Sequence, residues 1–200
     1  MREVLSGDSY RLEKTTGKDQ FAALVHLAYI STPRLGNPSR TEEPFAFEAR
    51  ELIREKIIGR RCDLTVEYVA NGKRFVSLRY EGQDLASLLV EQSLAKVNEK
   101  RGETKEDGLH SKLLEIQEAE AKKAKGVHST DSKYLAKHVR EVTYFSESDY
   151  KPTALLAQAQ QEPRPLGAIL EHVFSPSLVT LYVRSLQTQI KLQVVHLFLP

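Results

Sequence analysis

The sequence predicts an α+β fold, mainly β, in which short strands joined by hairpins make a small barrel and helices pack at its ends. Three observations carry that prediction. The segment CDLTVEYV alternates, with Cys62, Leu64, Val66 and Tyr68 on one face and Asp63, Thr65 and Glu67 on the other, the period of a half-buried strand. Turn residues punctuate the neighbouring strands, Gly17 within EKTTGKD and the tight turn ANGK from Ala70 to Lys73. Apolar stripes at helical spacing interrupt the strands without the regular alternation of βαβ units.

Taken in order, EVLSGDSYRL and QFAALVHLAYI read as two strands of a hairpin about EKTTGKD. TEEPFAFEARELIREKIIG reads as a helix, with Thr41 or Glu42 near its N-cap, Pro44 in its first turn and Gly59 at its stop. Its apolar stripe is Phe45, Ala49, Leu52, Ile53 and Ile57. CDLTVEYV and RFVSLRYEG form a second strand pair, ending at Gly82. QDLASLLVEQSLAKV supplies a helix bearing Leu85, Leu88 and Leu89, then a short strand. EDGLHSKLLEIQEAEAKKAKG is a third helix, with Leu109, Leu113 and Ile116 on one side and lysines at the end its dipole favours, before Gly126. Short strands in a closed or nearly closed barrel with three helices describe an OB-type domain over residues 1–128.

Residues 129–166 are polar and carry Pro152, Pro163 and Pro165, the composition of a linker. Tyr134, Tyr144, Phe145 and Tyr150 within it imply that parts of it dock on a domain. From Gly167 the opening of the chain is replayed. VFSPSLVTL (Val173 to Leu181) parallels VLSGDSYRL (Val4 to Leu12), and VVHLFLP parallels LVHLAYISTP. Residues 167–200 are therefore expected to be the truncated start of a second barrel.

Composition narrows the function classes. No apolar stretch approaches the ~20 residues that span a bilayer, and MREVLSGD has no apolar signal core, so no membrane partner is expected. A single cysteine, Cys62, fits a reducing compartment, the cytosol or nucleus. The six histidines, among them His26, show no metal-ligand spacing with one another or with Cys62. A net charge of +2 does not by itself mark a nucleic-acid partner, so any basic footprint must be local.

Four segments, VLSGDSYRL, EEPFAFEARELIREKIIGRRC, NGKRFVSLRYEGQDLASLLVEQSLAKV and EAEAKKAKGVHS, resemble in order the staphylococcal-nuclease-like repeats of the Tudor staphylococcal nuclease family. The resemblance covers nearly all of residues 3–129, and the renewed pattern after Gly167 is similar to the next repeat. It implies a five-stranded OB barrel of the staphylococcal nuclease type with three helices. It also implies tandem repeats with a Tudor domain further on, RNA binding, cleavage of some RNAs, membership of the RNA-induced silencing complex, and transcriptional or splicing roles.

The family's active pattern sets an acid on each side of the glycine in the first strand and an arginine early in the next. That next strand ends Asp-Thr-Pro-Glu, and a later Gly-Arg-Gly supplies a second arginine. Such a site needs carboxylates for Ca²⁺, a carboxylate for the attacking water and arginines for the phosphate. Here Ser6 stands at the first acid while Asp8 keeps the second, and His26 stands at the strand arginine. Ser31 replaces the metal-binding acid, Thr32 is kept, Arg34 replaces the general base and Lys73 the second arginine. One carboxylate is not a Ca²⁺ site, and an arginine takes no proton from water at neutral pH.

The substitutions share a sign: negative charge leaves the barrel mouth and phosphate-holding groups enter it. The expected nucleic-acid-binding residues are Thr32, Arg34, Arg40, Lys73 and Arg74, with Asp8 a catalytic remnant and neither metal nor cofactor required. The bland alternatives are that these cations are solvated loop charges and that Asp8 closes a turn beside Gly7. The favoured reading is an RNA-binding module with a degenerate nuclease site, taking single-stranded or structured small RNA. It would work with protein partners of silencing or transcription complexes, in the cytoplasm and nucleus. Two others stand beside it: an unconventional nuclease using Asp8 with residues of a neighbouring repeat, and a protein-interaction scaffold.

Overall fold

The computed structural model describes residues 1–14, 21–98, 108–144 and 165–193, together with 157, 160 and 161. The expected turn at Gly17, the aromatics Phe145 and Tyr150, most of the expected linker after Tyr144, and VVHLFLP lie outside the described residues. The chain divides into two compact units, Met1–Leu35 with Thr41–Val139, and Gly36–Arg40 with Arg140–Pro200.

The first unit is an α+β domain around a six-stranded sheet, as expected. Its strands are β1 (Glu3–Val4), β2 (Ser9–Lys14), β3 (Phe21–Leu27), β5 (Asp63–Ala70), β6 (Lys73–Tyr80) and β7 (Gln83–Asp84), in the order β1-β2-β3-β6-β5 with β7 on β6. All contacts are antiparallel except β3 with β6, where Val25, His26 and Leu27 lie beside Arg74, Phe75 and Val76. A separate pair, β4 (Ile30–Ser31) with β8 (Lys96–Val97), sets Ser31 opposite Lys96. Helices α1 (Ala46–Ile57), α2 (Leu85–Glu91) and α3 (Gly108–Ala121) complete the domain. Val25, Leu27, Ile53, Ile57, Val76, Leu78, Leu85, Leu89 and Leu113 fill the core. Each such side chain contributes roughly 1.5–3 kcal/mol by leaving water.

Several local expectations are corrected by contacts the periodicity does not encode. EVLSGDSYRL is not one strand: Leu5 and Ser6 N–H donate to the Ser9 carbonyl, closing a turn between β1 and β2. QFAALVHLAYI breaks at Tyr29, whose backbone is left-handed (φ 65°), so Ile30 and Ser31 pair with β8 instead of continuing β3. α1 starts later than Thr41, Glu42 or Pro44 suggest. Its N-cap is Phe45, left-handed at φ 68° and without a side-chain cap. The Phe45 N–H is held instead by the His138 carbonyl at 2.9 Å. A fourth helix, α4 (Ser132–Ala136), lies within the expected linker, capped by the Asp131 carboxylate. Tyr134 and His138 beside it pack on Phe45, the His138 ring stacking at 4.1 Å, so this segment docks as its aromatic content implied.

Strand β5 departs most. A bulge at Glu67 shifts the register between Val66 and Tyr68, which puts Tyr68 opposite Phe75 and Val69 opposite Arg74. Val69 therefore joins Leu64 and Val66 on the face that carries the buried Val76 and Leu78, and Tyr68 moves to the other face. Leu64, Val66 and Val69 are nonetheless 42, 48 and 63% exposed, since among the described residues no strand lies on the outer edge of β5.

The second unit is a four-stranded sheet of β9 (Thr143–Tyr144), β10 (Ala168–Ser175), β11 (Leu178–Val183) and β12 (Thr188–Gln193), in the order β10-β11-β12-β9. Three antiparallel strands followed by a parallel neighbour repeat the β1-β2-β3-β6 arrangement of the first unit. Arg140 lies over the Tyr182 ring, 4.4 Å from its centroid.

Candidate nucleic-acid interface

The loop from Ser31 to Arg34 leaves β4 at the mouth of the first unit and is fixed from below by the β1–β2 turn. Tyr10, fully buried, donates its hydroxyl to the Gly7 carbonyl and pins that turn. Gly7 is needed because the loop lies directly on it. A Cβ there would sit 2.8 Å from Thr32 Cγ2 and 2.9 Å from Ala49 Cβ. Asp8 ties the two segments together. Its Oδ1 accepts from the Ser6 hydroxyl at 2.6 Å and the Ser9 hydroxyl at 3.1 Å, and its Oδ2 accepts from the Thr32 N–H at 3.3 Å.

His26 stands beside this turn, opposite Ser9 in the β2–β3 ladder, with Nδ1 2.9 Å from the Ser9 hydroxyl. Because that hydroxyl donates to Asp8, it accepts from Nδ1–H, which leaves Nε2 as a bare, buried acceptor without a partner among the described residues. Burial pushes the imidazole below its ordinary pKa, the Lys73 charge adds to that, and Asp8 offsets only part of it. His26 is thus neutral at physiological pH.

Among the residues singled out from sequence, Thr32 meets Asp8 at the turn beside His26, and the charges of Asp8 and Lys73 both act on the imidazole. Arg34 leaves the same loop exposed to solvent. Its backbone N–H donates to Glu43 Oε2 at 2.8 Å and its carbonyl accepts from Glu43 N–H at 3.0 Å, while its guanidinium has no partner among the described residues. Arg74 is exposed on β6 beside Val69. Arg40 belongs to the second compact unit, where it bridges Asn37. Thr32 contributes packing and its N–H, its hydroxyl being buried without a partner among the described residues.

The other side of the loop borders a cleft of about 360 Å³ that includes Glu43, Phe45, Lys96, Val127 and Leu135. The sequence assigns no site role to these residues or to Ser9, and it gives Gly7 only a place beside a turn. The aromatic content of the segment after Ser129 was the available signal for the cleft wall. The close approach at Gly7 has no local signal, since it comes from Thr32 in a loop distant in sequence.

The donor set at the mouth does not fit a divalent cation. A hard ion needs several anionic or carbonyl oxygens, whereas the Asp8 carboxylate already accepts three hydrogen bonds and the Glu43 carboxylate accepts from the Arg34 N–H. Among the described residues no three of His, Cys, Asp and Glu gather as a metal would require.

The comparisons agree with this architecture. Residues 24–127 match the family described as staphylococcal nuclease homologue. The chain is similar to staphylococcal nuclease domain-containing protein 1 of Drosophila melanogaster, 25% identical across 92% of the chain and 20% of that protein. It is 30% identical to the Schizosaccharomyces pombe protein of the same name, over 58% of the chain and 13% of that protein. With Ribonuclease TUDOR 2 of Arabidopsis thaliana it shares 28% identity, over 48% of the chain and 10% of that protein. The chain thus spans a fifth or less of the length of these relatives. By its matched domain and its relatives, the chain belongs to the staphylococcal nuclease homologue family, among the Tudor staphylococcal nucleases.

Proposed function

We propose that this chain is an RNA-binding module whose barrel mouth holds phosphate and does not hydrolyse it. The observation that carries the reading is the Ser31–Arg34 loop. It is seated on Gly7 and Asp8, yet it offers a hydroxyl and an exposed guanidinium where hydrolysis needs two carboxylates. Arginine stays protonated and cannot activate water, whereas it pairs well with phosphate oxygens. Lys73 adds a second cation on the same side of β3 as His26. Single-stranded or structured small RNA is the intended ligand, in silencing or transcription complexes of the cytoplasm and nucleus. A first barrel over residues 1–128, a linker to 166 and the start of a second barrel are the proposed layout.

A salt series on single-stranded RNA binding tests this. Affinity should fall with salt along a log–log line of slope about −0.7 per phosphate neutralised, and the double variant Arg34→Ala/Lys73→Ala should flatten it. No binding at low salt overturns the reading. A second reading, cleavage, is favoured by the name ribonuclease carried by two relatives and by the retained Asp8. Metal-dependent cleavage by this chain that disappears in Asp8→Asn would establish it in place of the first.

A further inference from the structure

Beyond the mouth, the outer face of the sheet carries a row of rings laid across three strands. His26 on β3 lies beside Phe75 on β6, which in turn lies opposite Tyr68 on β5. The rings touch in that order. His26 and Phe75 have centroids 5.6 Å apart, and Tyr68 stacks on Phe75 at 4.7 Å with planes 15° apart. Tyr29 continues the row, 5.5 Å from Tyr68 and 5.3 Å from His110 on α3. The β5 bulge produces this arrangement, because without it Tyr68 would turn to the face of Val76 and Leu78. Tyr29 reaches it only through a left-handed backbone, a sparsely populated conformation that recurs at functional sites.

Of these rings, His26, Phe75, Tyr68 and Tyr29 all keep some solvent access and His110 alone is buried. The row also meets the cations. Lys73 lies two residues before Phe75 on β6, on the same face, and its charge reaches His26. Tyr29 opens directly into the Ile30–Arg34 segment that bears the exposed Arg34. Cations along a backbone path beside a row of aromatic rings are what sequence-tolerant single-strand binders use, because every base has a π face.

We propose that the His26–Phe75–Tyr68 row is a base-stacking platform for single-stranded RNA, with Phe75 its central ring and Lys73 and Arg34 holding the flanking phosphates. The proposal rests on the RNA-binding reading above and adds to it a requirement for bases as well as phosphates.

The test compares a 12-nucleotide oligouridylate with an abasic ribose-phosphate strand of the same length, bound to the whole chain at low salt. The wild type should hold the oligouridylate about tenfold more tightly than the abasic strand. Phe75→Leu keeps an apolar side chain of similar size, so its thermal unfolding should match the wild type while the preference for bases disappears. Phe75→Trp should restore the preference, and its fluorescence should be quenched by oligouridylate but not by the abasic strand. Equal wild-type affinity for the two strands, or an undiminished preference in Phe75→Leu, overturns the platform while leaving phosphate binding at the mouth intact. Binding of neither strand overturns the RNA-binding reading, and the platform with it. If Phe75→Leu unfolds early, the Phe75→Trp quenching alone decides: quenching by oligouridylate supports the platform, and its absence overturns it.

Discussion

The barrel mouth is built from two sets of residues that obey different rules. Gly7, Asp8, Tyr10 and Thr32 form a frame in which Asp8 accepts three hydrogen bonds and the loop lies within contact distance of a glycine. Arg34 and Lys73 form a rim that stands in solvent without partners among the described residues. The frame fixes where the loop goes, and the rim decides what it can do there. A loop can therefore keep its position through packing while the groups it presents change from acids to cations. Substitutions should separate the two sets, costing stability in the frame and affinity at the rim.

The largest loss is expected at Gly7. A Gly7→Val side chain begins with a Cβ already inside the contact distance of Thr32 and Ala49, neither of which has a flexible end to move aside. Overpacking of this kind costs about 3 kcal/mol, to be read as a lower urea midpoint. An unchanged midpoint would mean the loop is free to lift from the turn. Asp8→Ala comes next. It strands the Thr32 N–H and two hydroxyls that now share one carboxylate, for about 1–3 kcal/mol. Asp8→Asn, which keeps an acceptor oxygen, should lose less. Equal losses for the two would show that the charge of Asp8, rather than its accepting geometry, holds the frame.

At the rim the expectation reverses. Arg34→Ala and Lys73→Ala remove exposed side chains, so unfolding should shift by no more than about 0.5 kcal/mol. Each should weaken RNA binding alike across sequences and reduce the salt slope by about 0.7. A loss of stability without a loss of affinity would place Arg34 or Lys73 in the frame and empty the rim.

These contrasts also explain how far the sequence could be read. Periodicity named the helices and strand pairs because apolar stripes at Ala49, Ile53 and Ile57, or at Leu85 and Leu89, bury whole faces. It failed on β5, where one extra residue at Glu67 reverses the faces beyond it, and alternation carries no mark of a bulge. It failed at the start of α1, where a carbonyl from His138 replaces a cap that Thr41 or Glu42 would have supplied. At the mouth, the side chains that changed type were legible position by position. Their company was not: Lys73 meets His26 only through a parallel pairing of β3 with β6, and Arg40 falls in the other unit.

The smallest expected effect joins frame to rim through His26. Burial, with the Lys73 charge behind it, keeps the folded imidazole below the ordinary value of about 6.5, so the unfolded chain takes up a proton first as pH falls. Stability is therefore complete above that ordinary value and declines as pH drops from it toward the folded value. His26→Gln should remove that part of the decline. The part due to His128, which burial and the Lys96 charge lower in the same sense, should stay. Lys73→Ala supplies the sharper test, because it takes away one of the two influences holding His26 down while leaving its contact with Ser9 in place. The His26 ring-proton resonance should then titrate at a higher pH than in the wild type, and the acid-side loss of stability should shrink with it. A resonance that titrates unchanged would mean that the Lys73 ammonium does not face His26 in solution, and the rim would then have to be drawn through Arg34 alone.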